Sequence, residues 1–168
     1  KLREDRRLGA GHLWVFSNEV DIERRPLSGF APGALCRVIA DSERFLGYAY
    51  VNPHALICAR ILGRDGRYPP GRPLFVHRLQ VAIALRERLY SSPFYRLVHG
   101  ESDGLPGLVL DRYGDVVVGQ IGTAGMEGLK AEIVGALEKV IAPRTVLWKN
   151  DSGARELEGL PSYVETAH

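Results

Sequence analysis

Between Tyr95 and Asp115 the chain reads YRLVHGESDGLPGLVLDRYGD, and the stretch from His99 to Gly107 sets an imidazole, two carboxylates and a hydroxyl among glycines and a proline. Glu101 and Asp103, with Asp111 farther on, could hold a divalent cation or share a proton, which is the chemistry of a metal-dependent hydrolase. Ser102 lacks the surroundings of a nucleophile. That role needs a positioned base and an oxyanion hole, commonly announced by a strand-to-helix elbow, whereas Ser102 lies between Glu101 and Asp103 and leads toward a strand. Acidic residues in a Gly/Pro loop more often accept backbone N–H groups. Chemistry is therefore offered here, but no residue of the chain is assigned a catalytic role.

Cofactor motifs are missing from the same stretch. Gly100, Gly104 and Gly107 are interrupted by acidic residues and lead into a strand, so they make no dinucleotide fingerprint, and no Gly-Lys-Ser/Thr cradle occurs anywhere in the chain. Cys36 and Cys58 sit in apolar runs (ALCRVIA and ALICARI) at a separation that matches no zinc spacing, which suits structural thiols. No bound cofactor and no metal are expected on this chain.

The elements that must position these residues follow from period and punctuation. Trp14 to Phe16, Ala34 to Ala40, Phe45 to Val51 and His54 to Leu62 read as short strands, the pattern of a small barrel or curled sheet. GRDGRYPPGR, residues 63 to 72, breaks both strand and helix. A helix is expected from Pro73 to about Tyr90, with Phe75, Leu79, Ala82, Ile83 and Leu89 at helical spacing. Beyond it, Arg96 to Val98, Gly107 to Leu110 and Asp115 to Ile121 read as strands, 125 to 142 as one helix stopped by Pro143, and Arg144 to Lys149 as another strand before a weaker final segment. The expected class is α+β: a β pseudo-barrel over residues 1–64, a linker and connecting helix over 65–90, and a small α/β domain of strand-strand-helix-strand-strand order over 91–168.

The 168 residues carry a net charge of +2, divided unevenly. Residues 1–90 hold 15 Lys and Arg against 9 Asp and Glu, or +6, and residues 91–168 hold 7 against 11, or −4. A basic front half is a modest electrostatic footprint for nucleic acid. Arg3, Arg6, Arg7 and His12 near the start, and Arg64, Arg67, Tyr68 and Arg72 in the linker, combine positive charge with rings suited to phosphate contact and stacking. No apolar run approaches the ~18 residues of a membrane span, and the first residues lack the apolar core of a secretory signal, so a cytoplasmic protein without membrane contact is expected. The chain begins with Lys rather than Met, which leaves open whether this is the start of the gene product.

Several motifs together carry a resemblance: HLWVFSN at 12–18, GYAYVNPH at 47–54 leading into ICARI, YRLVHGESDGLPG at 95–107 with DRYG at 111–114, and Asn150-Asp-Ser with Arg155 and LEGL at 157–160. They resemble the S-adenosylmethionine-dependent methyltransferases that modify a cytosine C5 in large-subunit ribosomal RNA. The family pattern has His-Pro-Trp where this chain has His12-Leu13-Trp14, a departure that loosens only the approach to the first strand.

The resemblance implies an N-terminal PUA domain that binds RNA, a central α/β domain, and a C-terminal Rossmann-like domain that holds S-adenosylmethionine and the catalytic cysteine. That last domain is expected to lie outside this chain, which alone is expected to be inactive. In the parent enzyme a thiolate would add to C6 of cytosine, activate C5 toward the sulfonium methyl group, and leave by elimination after C5 loses its proton. On this reading His99, Glu101, Ser102, Asp103, Asp111 and Arg112 line one wall of a cleft that positions RNA or the flipped base. The expected partners are ribosomal RNA, the C-terminal methyltransferase domain and a second copy in a homodimer. The competing readings are a stand-alone RNA-binding module and, with less support, the metal-dependent hydrolase.

Overall fold

The computed structural model describes residues 6–167. They fall into two compact units divided after Pro70.

In unit 1 a single helical turn, α1 (Arg6–Gly9), precedes four strands: β1 (Trp14–Val15), β2 (Leu35–Ile39), β3 (Phe45–Val51) and β4 (Ala59–Gly63). They form one antiparallel sheet in the order β1-β4-β3-β2. Leu8, Val15, Val38, Leu46, Ala49, Val51 and Ile61 are buried together with Cys58. Burial of each larger aliphatic side chain contributes about 1.5–3 kcal/mol. The register of β3 on β4 shifts between Tyr48 and Ala49, beside Gly47. A Cβ at Gly47 would lie 2.7 Å from the Gly63 carbonyl oxygen, so only glycine lets the two backbones approach this closely.

The last strand of unit 1 starts later than its apolar alternation predicts. Residues before Ala59 form a turn in which the buried Asn52 accepts from the His54 N–H at 3.2 Å and donates its own N–H to the Cys58 carbonyl at 2.8 Å. Pro53 has no N–H to give a ladder, so the pairing resumes only after this closure.

Unit 2 opens with α2 (Arg72–Leu89), with Pro73 in its first turn and Phe75, Leu79 and Ala82 buried. A five-stranded sheet follows in simple chain order: β5 (Phe94–His99), β6 (Leu108–Tyr113), β7 (Val116–Ile121), β8 (Thr145–Asn150) and β9 (Tyr163–Thr166). β5, β6 and β7 form an antiparallel meander, β7 and β8 pair in parallel, and β8 and β9 pair antiparallel. The parallel step requires a crossover, supplied by α3 (Ala124–Gly128) and α4 (Lys130–Val140). Helices α2 and α4 pack on one another, and α2 also packs on β5.

The α+β class with a small barrel-like unit and an α/β unit is what the structure has. The sheet carries one more strand ahead of its helices than the strand-strand-helix-strand-strand order. The single helix expected over 125–142 is broken at Leu129, where the chain turns through φ −101°, ψ 8° and the hydrogen bond falls back to Met126. Gly125 and Gly128 leave that first turn too weak to dictate the direction of the longer helix. At the far end Ala142 takes φ 43°, and Pro143 forbids continuation. Gly119 faces Trp148 across the parallel pair, and a Cβ there would sit 2.4 Å from the ring, so the wholly buried indole occupies the space of the missing side chain.

Candidate nucleic-acid interface

The basic residues singled out from the sequence differ in how far their charge is already used. Arg3 lies outside the described residues. Arg6 is exposed in α1. Arg7 points back into its own unit, donating to the Trp14 carbonyl at 2.9 Å and to both Glu19 oxygens at 2.7 Å, with its guanidinium 5.1 Å from the centre of the Phe16 ring. Its role is to clamp the segment around β1.

Arg64 donates to two neutral carbonyls, His12 at 2.8 Å and Leu46 at 3.3 Å. This brings residues 12 and 64 together and ties the approach to β1 onto the end of β4, and no carboxylate among those partners cancels its charge. Arg67 is different, since it grips Asp65 through Nε at 3.0 Å and Nη2 at 2.7 Å. That hydrogen bonding pulls the Asp65 carboxyl down to about 2. Tyr68 is exposed, with the Arg67 guanidinium 5.3 Å from its ring centre. Arg72 belongs to unit 2, where it pairs with Glu132 at 3.0 Å.

The polar loop in unit 2 also has much of its charge already engaged. After β5 the chain makes a short 3-10 turn, Gly100–Asp103, and Gly104 closes it with φ 69°. Asp103 accepts from Arg86 Nη1 at 2.6 Å, from Arg86 Nη2 at 2.7 Å and from the His99 N–H at 2.7 Å. Arg78, also on α2, donates to the Gly104 carbonyl, and a Cβ at Gly104 would collide with its guanidinium. The loop is therefore held from behind by two arginines of the helix. Gly107, at φ 79°, packs so closely on Thr123 that a Cβ would lie 2.5 Å from it.

Asp111 and Arg96 are register partners on β6 and β5, and they form an ion pair with bonds of 2.9 and 3.1 Å. Arg112, register partner of Tyr95, donates to that tyrosine's oxygen and to the Gly114 carbonyl, each at 3.1 Å. Of the six residues expected to line a cleft, Asp103 holds the His99 N–H and Arg86, while Asp111 and Arg112 tie β6 to Arg96 and Tyr95 of β5, and His99, Glu101 and Ser102 are the exposed ones. Among the described residues no group of three His, Cys, Asp or Glu side chains could hold a metal ion.

The sequence reading passed over a buried ionic network at the other end of the sheet. Arg155 is wholly buried in the turn Gly153–Glu158. Its Nη1 donates to the Ile121 carbonyl at 2.6 Å and to Glu127 at 2.9 Å, its Nε donates to the Pro161 carbonyl at 2.9 Å, and its guanidinium lies 5.0 Å from the Tyr163 ring centre. The Tyr163 hydroxyl donates to Glu127 at 2.6 Å, and Lys130 bonds both Glu165 and the Tyr163 oxygen. Burial opposes the charge on Lys130, but those two hydrogen bonds outweigh it and raise the pKa. Burial first, and Glu127 second, raise that of Tyr163. Nothing in the local sequence announces this network, because an arginine among glutamates has the pattern of a solvated turn.

The two thiols are poor nucleophiles. Burial pushes Cys36 and Cys58 each up to about 11, and Cys58 Sγ bonds the Val15 carbonyl at 3.5 Å. Unit 1 also holds a cleft of about 600 Å³ bordered by Arg24, Arg25 and Arg37, which the sequence reading did not single out. No described helix is long and apolar enough to cross a membrane.

Residues 1–64 match the PUA-like domain family. The chain is 32% identical over 168 residues, 98% of its length, to the ribosomal RNA large subunit methyltransferase I of Aliivibrio fischeri strain MJ11. It is 35% identical over 89% of its length to the protein of that name from Erwinia tasmaniensis. It spans 41% and 38% of those relatives, about two fifths of their length. Among solved structures, a proposed SAM-dependent methyltransferase from Streptococcus mutans aligns with TM-score 0.76 and 18% identity over 98% of this chain and 40% of its own. SMU.776, a proposed methyltransferase complexed with SAH, aligns with TM-score 0.72 and 19% identity over 87% of this chain and 38% of its own. At those identities the two structures speak for the fold.

Proposed function

We propose that this chain is the RNA-binding and central portion of an enzyme that methylates large-subunit ribosomal RNA with S-adenosylmethionine. The observation that carries the reading is the collinear match, over 98% of the chain, to a relative named for that activity. Unit 1 supplies the RNA contact, with Arg64 and the exposed Arg6 offering charge to phosphates, and Tyr68 offering a ring. The finer assignment is cytosine C5 as the methyl acceptor, as the sequence motifs imply.

The glycine-rich loop of unit 2 makes no cradle for the cofactor, because Arg78 and Asp103 fill it and it leads into β6. S-adenosylmethionine and the reacting cysteine belong, on this reading, to the further domain of the parent enzyme. The loop's part is to line one wall of the cleft for RNA. His99, Glu101 and Ser102 face outward for that purpose, Asp103 holds the turn that carries them, and Asp111 and Arg112 tie β6 to β5.

The test uses the parent enzyme with labelled S-adenosylmethionine and large-subunit ribosomal RNA, and locates the methyl group by nuclease digestion and mass spectrometry. Label on cytosine C5 is the expected result, and label on another base or on ribose removes the finer assignment. Replacing His99 and Ser102 by Ala should lower turnover while cofactor binding is retained. Unchanged turnover excludes the loop from the substrate cleft.

A further inference from the structure

None of the arginines expected from the sequence lines the cleft of unit 1. Its inner surface is apolar, with Val15 and Val38 from β1 and β2, Val51 from the end of β3, and Val20, Leu27 and Phe30 from the connection between β1 and β2. Its rim is cationic. Arg24 borders it but is engaged by Asp21 at 3.4 Å and Asp41 at 3.1 Å. Arg25 and Arg37 are exposed, and among the described residues neither has a carboxylate partner; the Arg37 guanidinium lies 5.2 Å from the centre of the Phe45 ring. Glu43, in a left-handed turn at φ 63°, adds a carboxylate to the same border.

An apolar floor under uncancelled guanidinium groups selects a ligand with a flat, weakly polar body and an anionic group beside it. The volume of about 600 Å³ falls in the range of roughly 300–1,000 Å³ typical of small-molecule pockets, room for one nucleotide and too little for a duplex. The Cys36 and Cys58 thiols on its lining stay protonated near neutral pH, so the floor adds no negative charge.

We propose that this cleft receives one unpaired nucleotide of the bound RNA, with its base against Val20, Leu27 and Phe30 and its flanking phosphates on Arg25 and Arg37. The proposal deepens the RNA-binding reading and rests on it. A paired base could not enter, since its faces are stacked and its edge is engaged, so the cleft would favour bulges and loops over continuous helix.

The experiment measures binding of the 168-residue chain to RNA hairpins that share a stem and differ at a single-nucleotide bulge. The bulge carries a base in one hairpin and an abasic ribose in the other. Fluorescence anisotropy gives affinity, and 2-aminopurine at the bulge reports whether the base leaves solvent. The expected result is about tenfold weaker binding of the abasic hairpin, a typical effect of losing one stacked base. Arg25→Glu with Arg37→Glu should weaken binding of both hairpins. Val20→Trp, which fills the floor, should erase the difference between them while leaving salt-dependent affinity in place. Should Val20→Trp fail to fold by circular dichroism, the comparison of the two hairpins on the unaltered chain decides alone.

Equal affinity of the unaltered chain for the two hairpins overturns the nucleotide subsite and leaves the RNA-binding reading intact. Absence of binding to any hairpin removes both. Free nucleoside monophosphate bound as tightly as the bulged hairpin also overturns the proposal, because the occupant would then be a free metabolite.

Discussion

Arg86 and Asp103 face each other across a doubly bonded ion pair, 2.6 and 2.7 Å, with their side chains only 12% and 9% exposed. The pair joins α2 to the loop after β5, and Asp103 also accepts the His99 N–H. Asp103→Ala should therefore cost about 3–5 kcal/mol, because it leaves a guanidinium largely buried without a counter-charge. Urea denaturation measures the loss. An Arg86→Met, Asp103→Leu double variant should recover much of it, and a double variant as unstable as the single one contradicts this account.

Arg155 is buried more completely, and its partners lie on β7, α3 and the approach to β9. Arg155→Ala should be at least as costly, about 3–5 kcal/mol, since it strips the partner from one Glu127 oxygen and from two backbone carbonyls in a buried turn. Arg155→Lys keeps the charge but cannot reproduce the fork, and should rescue less than half of the loss. A thermal melt of the three proteins side by side checks the ranking.

In the RNA contact, the partners of each arginine predict its contribution. Arg64→Ala should weaken hairpin binding a few-fold and reduce the slope of log K against log salt by about one. Arg67→Ala should change that slope less, because Asp65 already occupies its guanidinium. Asp65→Asn should strengthen binding by freeing Arg67. Salt titrations of the three variants test the order, and equal slopes for Arg64→Ala and Arg67→Ala contradict it.

The two thiols give a pH prediction. Both are raised from an ordinary value of 9.0 to about 11, so the folded chain holds these protons more tightly than the unfolded chain. Stability from this source is fully present below pH 9 and is lost as pH rises toward 11. Alkylation by iodoacetamide should be slow at pH 7.5 and should accelerate through that same interval, with half-exposed Cys36 reacting before buried Cys58. Rapid alkylation of either cysteine at neutral pH argues against protonated, buried thiols.

Period and punctuation were enough to locate most elements of this chain. Pro73 and the spacing of Phe75, Leu79 and Ala82 located α2, and the Val116 to Val118 run located β7. Pairing that depends on distant partners was not legible. The alternation of Ala55, Ile57, Ala59 and Ile61 suggested a strand from His54, but Asn52 bonds its neighbours and delays pairing to Ala59. The loop from His99 to Gly107 was visible as a concentration of polar groups. That Arg78 and Arg86 spend themselves on it was not, because an arginine on an amphipathic helix looks the same whether it meets water or a carboxylate. The burial of Arg155 and the arginine-rimmed cleft were hidden for the same reason.

The side-by-side alignment of β7 and β8 also bears on how unit 2 comes together. The meander β5 to β7 joins neighbours through short connections, but Val116 must meet Thr145 across a whole helical crossover before Trp148 can cover Gly119. Closing that longer stretch of chain carries the larger entropic barrier, so this seam should form late. In pulse-labelling hydrogen exchange during refolding, the amides of the β6–β7 ladder should gain protection before those between β7 and β8, and simultaneous protection would rule out such a sequence. Unit 2 would then pass through a half-sheet, briefly exposing the flank of β7 that β8 later covers.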